Sequence, residues 1–520
     1  MKTNWQDELK SLLNCDLKEL YPLARSMKRE LHFFVGPTNS GKTYNAMKEL
    51  KKADCGLYLA PLRLLALEGY EDLQKDKVEV SLITGEEQIL DEDATHVCST
   101  IEMIDYDMDV DVAVIDEIQM LDDIDRGWAW VNAIIGCPAK KIIMTGSVNA
   151  LEAVKKIAAY LDESLKVVKH KRKTELEVMS HHVALGNLEP STALIAFSRA
   201  DVLKLKQKLH KKHKVSVIYG NLSPEVRRDE AKRFRKGETD ILIATDAIAM
   251  GLNLPIKTIL FTSHTKFDGI SRRGLNVNEI VQIAGRAGRY GHYEKGYIGA
   301  TTRDGLRYIE NEYAKPVRTI KPPFNVKINN QQLEDLASHL QTTSLTKVLS
   351  FFAKNMVFSG PFEAANLSSM ITAAKIVDER INLKLEDKYM LAQAPITTKS
   401  PIILQAYQAY IAAVIKGKIV RYKPSITLPN KPKTQKDLLL VEDEIKKISL
   451  YLWLSYKLPE LFPDNTKAGM SRKVFNNFIE KSLQSNIKLS MEVRKHDDKK
   501  GFDNRSERSQ NPRDRRRRRF

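Results

Sequence analysis

The residues best suited to chemistry form one run, Gly36-Pro37-Thr38-Asn39-Ser40-Gly41-Lys42-Thr43. It follows the apolar stretch Leu31–Val35 and precedes a helical pattern over Asn45–Leu50. A G-x-x-x-x-G-K-T loop between strand and helix turns its backbone N–H groups onto phosphate oxygens, and the helix N-terminus adds a positive dipole. Lys42 is placed to reach β- and γ-phosphates and the Thr43 hydroxyl to ligate Mg²⁺, so ATP and Mg²⁺ are the expected cofactors. Further on, the strand-like Val112–Ile115 ends in Asp116-Glu117. Carboxylates at a strand end beside a phosphate loop suit Mg²⁺ binding by Asp116, partly through water, and activation of the attacking water by Glu117. A third run, Gln282-Ile283-Ala284-Gly285-Arg286-Ala287-Gly288-Arg289, places two arginines three residues apart. If they begin a helix they share one face with Gln282 and can meet a γ-phosphate from another domain.

Positioning these residues requires parallel sheets. Short apolar runs rich in β-branched residues alternate with helical patterns in two sets. The first comprises Leu31–Val35, Leu57–Leu59, Val80–Thr84, His96–Ser99, Val112–Ile115 and Ile142–Thr145. The second comprises Leu194–Phe197, Val215–Tyr219, Ile241–Ala244, Ile259–Thr262 and Tyr297–Ala300. Such alternation predicts two α/β domains, joined near Lys166–Lys173. Apolar residues then fall at helical spacing over Gln331–Leu349 and Leu438–Ser455, so a mostly helical region follows. Hydroxyls at strand ends, Thr145-Gly146-Ser147 and Thr245 in the run Thr245–Leu254, are further candidates for sensing nucleotide state or holding a strand's phosphates.

The charge narrows the partner. The chain has 520 residues, 83 Lys and Arg against 66 Asp and Glu, and a net charge of +17, a balance that favours a polyanion such as nucleic acid. From Arg494 to Phe520 twelve basic residues face five acids with almost no apolar residue, which predicts a disordered basic tail, read as an electrostatic tether. Cys15, Cys55, Cys98 and Cys137 are widely spaced, which suits free thiols in a reducing interior. The stretch Pro401–Ile415 is too short and too polar for a membrane span. The N-terminus shows neither a signal core nor a transit peptide, which predicts a cytoplasmic protein.

The ordered series Gly36–Thr43, Asp116–Gln119, Thr145–Ser147, Thr245–Leu254 and Gln282–Arg289 resembles that of superfamily-two helicases, in which two RecA-like domains sandwich ATP. The loop ending in Tyr44, the tetrad Asp116-Glu117-Ile118-Gln119, the segment Thr265–Gly269 and the late segment Tyr451–Lys457 with Pro459 and Phe462 are similar to the mitochondrial degradosome RNA helicases of the Suv-three type and their bacterial relatives. The resemblance covers about Leu31–Phe478. It implies two tandem RecA-like parallel-sheet domains at 28–165 and 166–310, after a short helical segment at 1–27. A mostly helical region at 311–485 follows, and then a disordered Arg-rich tail at 486–520, for which the resemblance does not account. It also implies that Lys42, Thr43, Asp116 and Glu117 bind and hydrolyse ATP with Mg²⁺, completed by Gln282, Arg286 and Arg289. Pro61, Arg63, Thr84, Gly85, Thr100, Ser198, Arg199, Asn221 and Thr245 would line a path for RNA, with Arg63 and Arg199 touching phosphates. The expected activity is ATP-driven translocation on single-stranded RNA, 3′→5′, with duplex unwinding in RNA turnover, by a monomer that works with an exoribonuclease. The short N-terminal segment suggests a bacterial-type, cytoplasmic member. A DNA or hybrid-duplex helicase and an ATP-gated RNA-binding scaffold remain as alternatives.

Overall fold

The computed structural model describes residues 13–249, 254–379, 383–397, 400–429 and 434–484. The segment Met250–Asn253 and the arginine-rich tail lie outside the described residues. The two sets of apolar runs form two parallel sheets, buried on both faces as parallel sheets must be. In the first, the central strands are Glu30–Val35, Ala139–Gly146, Val110–Ile115 and Gly56–Ala60, in that spatial order. The register aligns their carboxyl ends: Val35 lies opposite Gly146, Ile115 opposite Met144, and Leu59 opposite Ile115. The phosphate loop, Asp116-Glu117 and Ser147 therefore leave the same sheet edge. The second sheet aligns Ile195, Ile218 and Ala244 in the same way, with Phe261 beside Ile195.

Each sheet has an edge strand that the apolar runs do not announce. Leu165–Lys169 pairs with Glu30–Val35, and Glu175–Val178 pairs with Lys295–Ala300. The first sheet thus extends beyond residue 165, and the chain crosses to the second body over 170–174. Lysines on an edge strand discourage further pairing, which makes such a strand read as a connection. The segment Thr265–Phe267 forms a hairpin with Arg272–Gly274.

A mostly helical region follows, and its packing divides between the two sheets. The strands Phe324–Val326 and Phe362–Ala364 and the helices Asn330–His339, Leu345–Asn355 and Ser368–Asp378 share a core with Trp130 and Ile134 of the first body. The helices Pro401–Ile415, Gln435–Lys457 and Asn465–Gln484 share one with Leu194, Val217 and Tyr219 of the second. At the other end of the chain, Asn14–Cys15 pairs with Val357–Phe358, and short helices occupy Leu17–Leu20 and Pro22–Ser26. All four cysteines are free, and no described helix is long and apolar enough to cross a membrane.

Candidate active site and strand channel

The phosphate loop opens with Gly36, whose N–H bonds the Gly146 carbonyl at 3.0 Å. It closes with Gly41 at φ 82°, a left-handed conformation that glycine adopts without a Cβ clash, and the helix Lys42–Leu50 begins there. Asn39 also takes a left-handed φ of 63°. Lys42 Nζ donates to the Pro37 carbonyl at 2.9 Å, inside the loop. Burial lowers its pKa, while the charges of Glu117 and Asp116 act in the opposite sense.

Asp116 is buried and fully engaged. Thr43 Oγ1 donates to its Oδ1 at 3.0 Å, Tyr58 OH donates to its Oδ2 at 3.1 Å, and Thr145 Oγ1 donates to Oδ1. Burial and then the charge of Glu117 raise its pKa, and the three hydroxyls oppose that shift. Trp130 Nε1 holds the Asp116 carbonyl at 2.9 Å. Thr43 Oγ1 and the Asp116 carboxylate make an all-oxygen set at the loop, the donor chemistry that a hard divalent cation takes. Gln119 links two motifs: its amide donates to Glu117 Oε2, and its Oε1 accepts the Ser147 N–H at 3.1 Å. Tyr58 and Trp130 were not legible as site residues, because only the fold brings them to Asp116.

The second sheet supplies the opposite wall. Arg286 Nη2 lies 3.8 Å from Glu117 Oε1, and Arg286 Nε donates to the Ala249 carbonyl at 3.1 Å. Burial is the main influence on this guanidinium and lowers its pKa; Glu117 and Asp116 pull the other way. The expectation that Arg286 and Arg289 begin a helix is corrected. The helix Val277–Ala284, started by a capping box of Asn276 and Glu279, ends before them, and Gly288 at φ 63° holds a left-handed conformation that a continuing helix does not take. Gln282 occupies its last turn, and Arg289 has Arg235, Arg286 and Glu68 as charged neighbours. The glycines do permit close approach. A Cβ on Gly285 would stand 2.7 Å from Thr38 Cβ, and Gly288 packs against the Gly296 backbone.

Beside this cleft runs a channel. Pro61, Arg63, Gly85 and Thr100 line a cavity of about 770 Å³ together with Arg227, Ile396 and Trp453. A second cavity of about 450 Å³, which includes Asn221, shares Arg63, Glu86 and Arg227 with it. Trp453 Cδ1 stands 3.7 Å from where a Cβ on Gly85 would project. Arg63 pairs with Glu86 at 2.6 Å, Glu86 with Arg472 at 3.2 Å, and Arg472 with Glu225 at 3.1 Å, a chain of charges spanning both sheets and the last helix.

Five expected strand contacts are engaged within the protein itself, Asn221 among them although it also borders the second cavity. Arg199 donates through Nε to both oxygens of buried Glu442, at 2.9 and 3.0 Å, and Tyr219 OH shares that carboxylate at 2.8 Å. Its guanidinium therefore ties the second sheet to the helix Gln435–Lys457 instead of facing a phosphate. Asn221 reaches the same carboxylate at 3.5 Å. Ser198 caps the helix Arg199–Leu209 by accepting from Asp201 N at 3.0 Å. Thr84 closes a turn, accepting from Glu87 N at 3.0 Å, and buried Thr245 accepts from Ala247 N at 3.3 Å.

Comparison with known proteins agrees with this architecture. Residues 18–170 match the DEXQ-box helicase domain of Suv3, 171–291 the helicase conserved C-terminal domain, and 438–485 the ATP-dependent RNA helicase SUV3 C-terminal domain. The chain is 35% identical over 480 residues to the mitochondrial DExH-box ATP-dependent RNA helicase DExH16 of Arabidopsis thaliana, covering 90% of this chain and 83% of that protein. It is 33% identical over 490 residues to the mitochondrial ATP-dependent RNA helicase SUPV3L1 of Mus musculus, covering 90% of this chain but 62% of that longer protein. It is 33% identical over 494 residues to the mitochondrial ATP-dependent RNA helicase SUV3 of Saccharomyces paradoxus, covering 90% of this chain and 67% of that one. All three relatives are named as mitochondrial, which overturns the expectation of a bacterial-type cytoplasmic protein. A DEXQ tetrad facing an arginine across two parallel sheets, a helical region packed on both, and matches along nearly the whole chain lead to one assignment: the chain belongs to the Suv3 family of ATP-dependent RNA helicases.

Proposed function

We propose that this chain hydrolyses ATP between its two sheets and uses each cycle to step 3′→5′ along a single RNA strand, unwinding tailed duplexes. The observation that carries the reading is Arg286 of the second sheet, 3.8 Å from Glu117 of the first, at the mouth of the phosphate loop. The loop N–H groups and Lys42 hold the β- and γ-phosphates. Mg²⁺, when bound by Thr43 and Asp116, neutralises charge on the phosphate oxygens. Glu117 accepts the proton of the attacking water. Arg286 stabilises charge that develops on the γ-phosphoryl group, Arg289 supports it, and Gln282 helps position the water. Loss of the γ-phosphate removes the anion held between Lys42 and Arg286, so the sheets separate and their grips on the strand alternate. The channel through Pro61, Arg63, Gly85 and Thr100 offers backbone contacts and the Trp453 ring, which suits sequence-independent binding with strong salt dependence. Such a motor fits RNA turnover beside an exoribonuclease, a pairing that co-purification of the full chain with candidate nucleases would test.

ATP turnover is to be measured without nucleic acid, with single-stranded RNA, and with DNA of the same sequence. RNA is expected to stimulate strongly and DNA weakly. Lys42→Ala is expected to abolish turnover; a variant with wild-type ATPase activity would exclude the reading. Stimulation without unwinding of a tailed duplex would turn the assignment toward an RNA clamp.

A further inference from the structure

The connection between the two sheets carries a residue that the nucleotide-site motifs do not include. Arg172 follows the edge strand Leu165–Lys169 by three residues, where the chain leaves the first sheet. Its Nη1 donates to the Thr38 carbonyl of the phosphate loop at 2.9 Å and to the Gly285 carbonyl of the second body at 2.7 Å. Its Nη2 donates to the Ala287 carbonyl, and its Nε donates to Thr174 O at 2.9 Å. Gly285 and Ala287 flank Arg286. One guanidinium thus holds the main chain on both sides of the arginine that faces Glu117, and it also holds the loop that takes the phosphates.

Two further contacts align with it. Asn39 Nδ2 donates to the same Gly285 carbonyl at 3.0 Å, and Thr174 Oγ1 donates to the Gly288 carbonyl. The close approach of Gly285 to Thr38 leaves no room for a Cβ, so the loop and the arginine segment meet in one register. The hydrogen-bond partners described for Arg172 are all main-chain carbonyls. A half-buried cation on neutral acceptors is costly to desolvate, and burial lowers its pKa to about 10. A positioning function explains why such a group stands there. Only a rigid fork of donors can span two bodies at once, and the compact ammonium of lysine cannot.

We propose that Arg172 is a positioning residue that sets the main chain around Arg286 against the phosphate loop, and so determines whether the arginine meets the γ-phosphate. The inference rests on the nucleotide-site reading above.

The test is steady-state ATP hydrolysis by the full chain at saturating single-stranded RNA, for Arg172→Lys, Arg286→Ala and the double variant. R172K is expected to lower kcat about tenfold or more, as misplacing a catalytic group by a fraction of its reach does, with KM for ATP, RNA affinity and melting midpoint held near wild type. In the R286A background the same substitution is expected to add nothing, because it acts through Arg286. R172K with wild-type kcat, a loss that appears only in KM, or a loss that adds in full to that of R286A would each overturn the inference. Wild-type turnover by R286A alone would instead remove the nucleotide-site reading itself. Should R172K fail to fold, R172Q carries the same comparison.

Discussion

Glu279 shows how much of the cleft wall depends on single charges. Burial alone would raise its carboxyl, yet two bonds from Arg273, the Asn276 N–H and the Lys266 ammonium hold it at about 2, below the ordinary 4.5. A carboxyl depressed in the folded state contributes stability above its unfolded pKa and loses it as pH falls through the folded value. The contribution is therefore fully present at neutral pH and drains between about pH 4.5 and 2. Glu279→Gln is expected to be less stable than wild type at pH 7, and the difference is expected to shrink on acidification through that window. Unfolding curves collected across the range check this, and parallel curves would remove Glu279 from the account. The same residue explains a limit of sequence reading. The pattern Asn276-Val277-Asn278-Glu279 is a capping box that starts a helix at Val277; the arginines of Gln282–Arg289 follow its end at Ala284, where spacing by three guarantees no common face. By contrast Gly36–Thr43 and Asp116-Glu117 were legible residue by residue, because a strand end and a tight loop are local features.

At the scale of elements, the helix Gln435–Lys457 shows what a period can and cannot reveal. Leu438, Val441, Ile445 and Ile448 mark its buried face. Glu442 lies within that stripe, an acid that signals a buried partner without naming it. The partner, Arg199, is distant in sequence and looked free for a phosphate; only the packing of helix on sheet decides otherwise. Breaking a buried pair from one side strands the remaining charge. Glu442→Ala is expected to cost about 3–5 kcal/mol, and the paired replacement R199M/E442L to recover much of it. Denaturant midpoints for wild type and the two variants check this. The edge strand Leu165–Lys169 was illegible for a related reason: its lysines guard the edge of the sheet, and charge is the usual mark of a connection.

At the scale of the whole molecule, the channel is built from three parts of the chain. Pro61, Gly85 and Thr100 belong to the first sheet, Arg227 to the second, and Trp453 to the late helical region. Trp453→Ala is expected to weaken retention of single-stranded RNA by about 1–3 kcal/mol, the value of one stacked base, and to lower unwinding more than basal ATP turnover. Filter binding over a salt series checks the affinity, and unchanged retention would place the strand elsewhere. Two parallel sheets and a helical tail could be read from alternating patterns, but the division of that tail between two cores could not, since amphipathic spacing shows which face is buried and not against what.

That division makes the chain pass between the two bodies three times. It crosses at 170–174 and returns before Ile320, whose N–H bonds Asn149 O at 2.9 Å. Two residues earlier, the Arg318 N–H bonds Asn278 of the second body. It crosses again between the helices Ser368–Asp378 and Pro401–Ile415. A body hung from another at one point can swivel freely, at two points it swings like a door, and at three it can move only as far as the tethers themselves bend. The connections therefore limit how far the two bodies can part, whatever occupies the cleft between them.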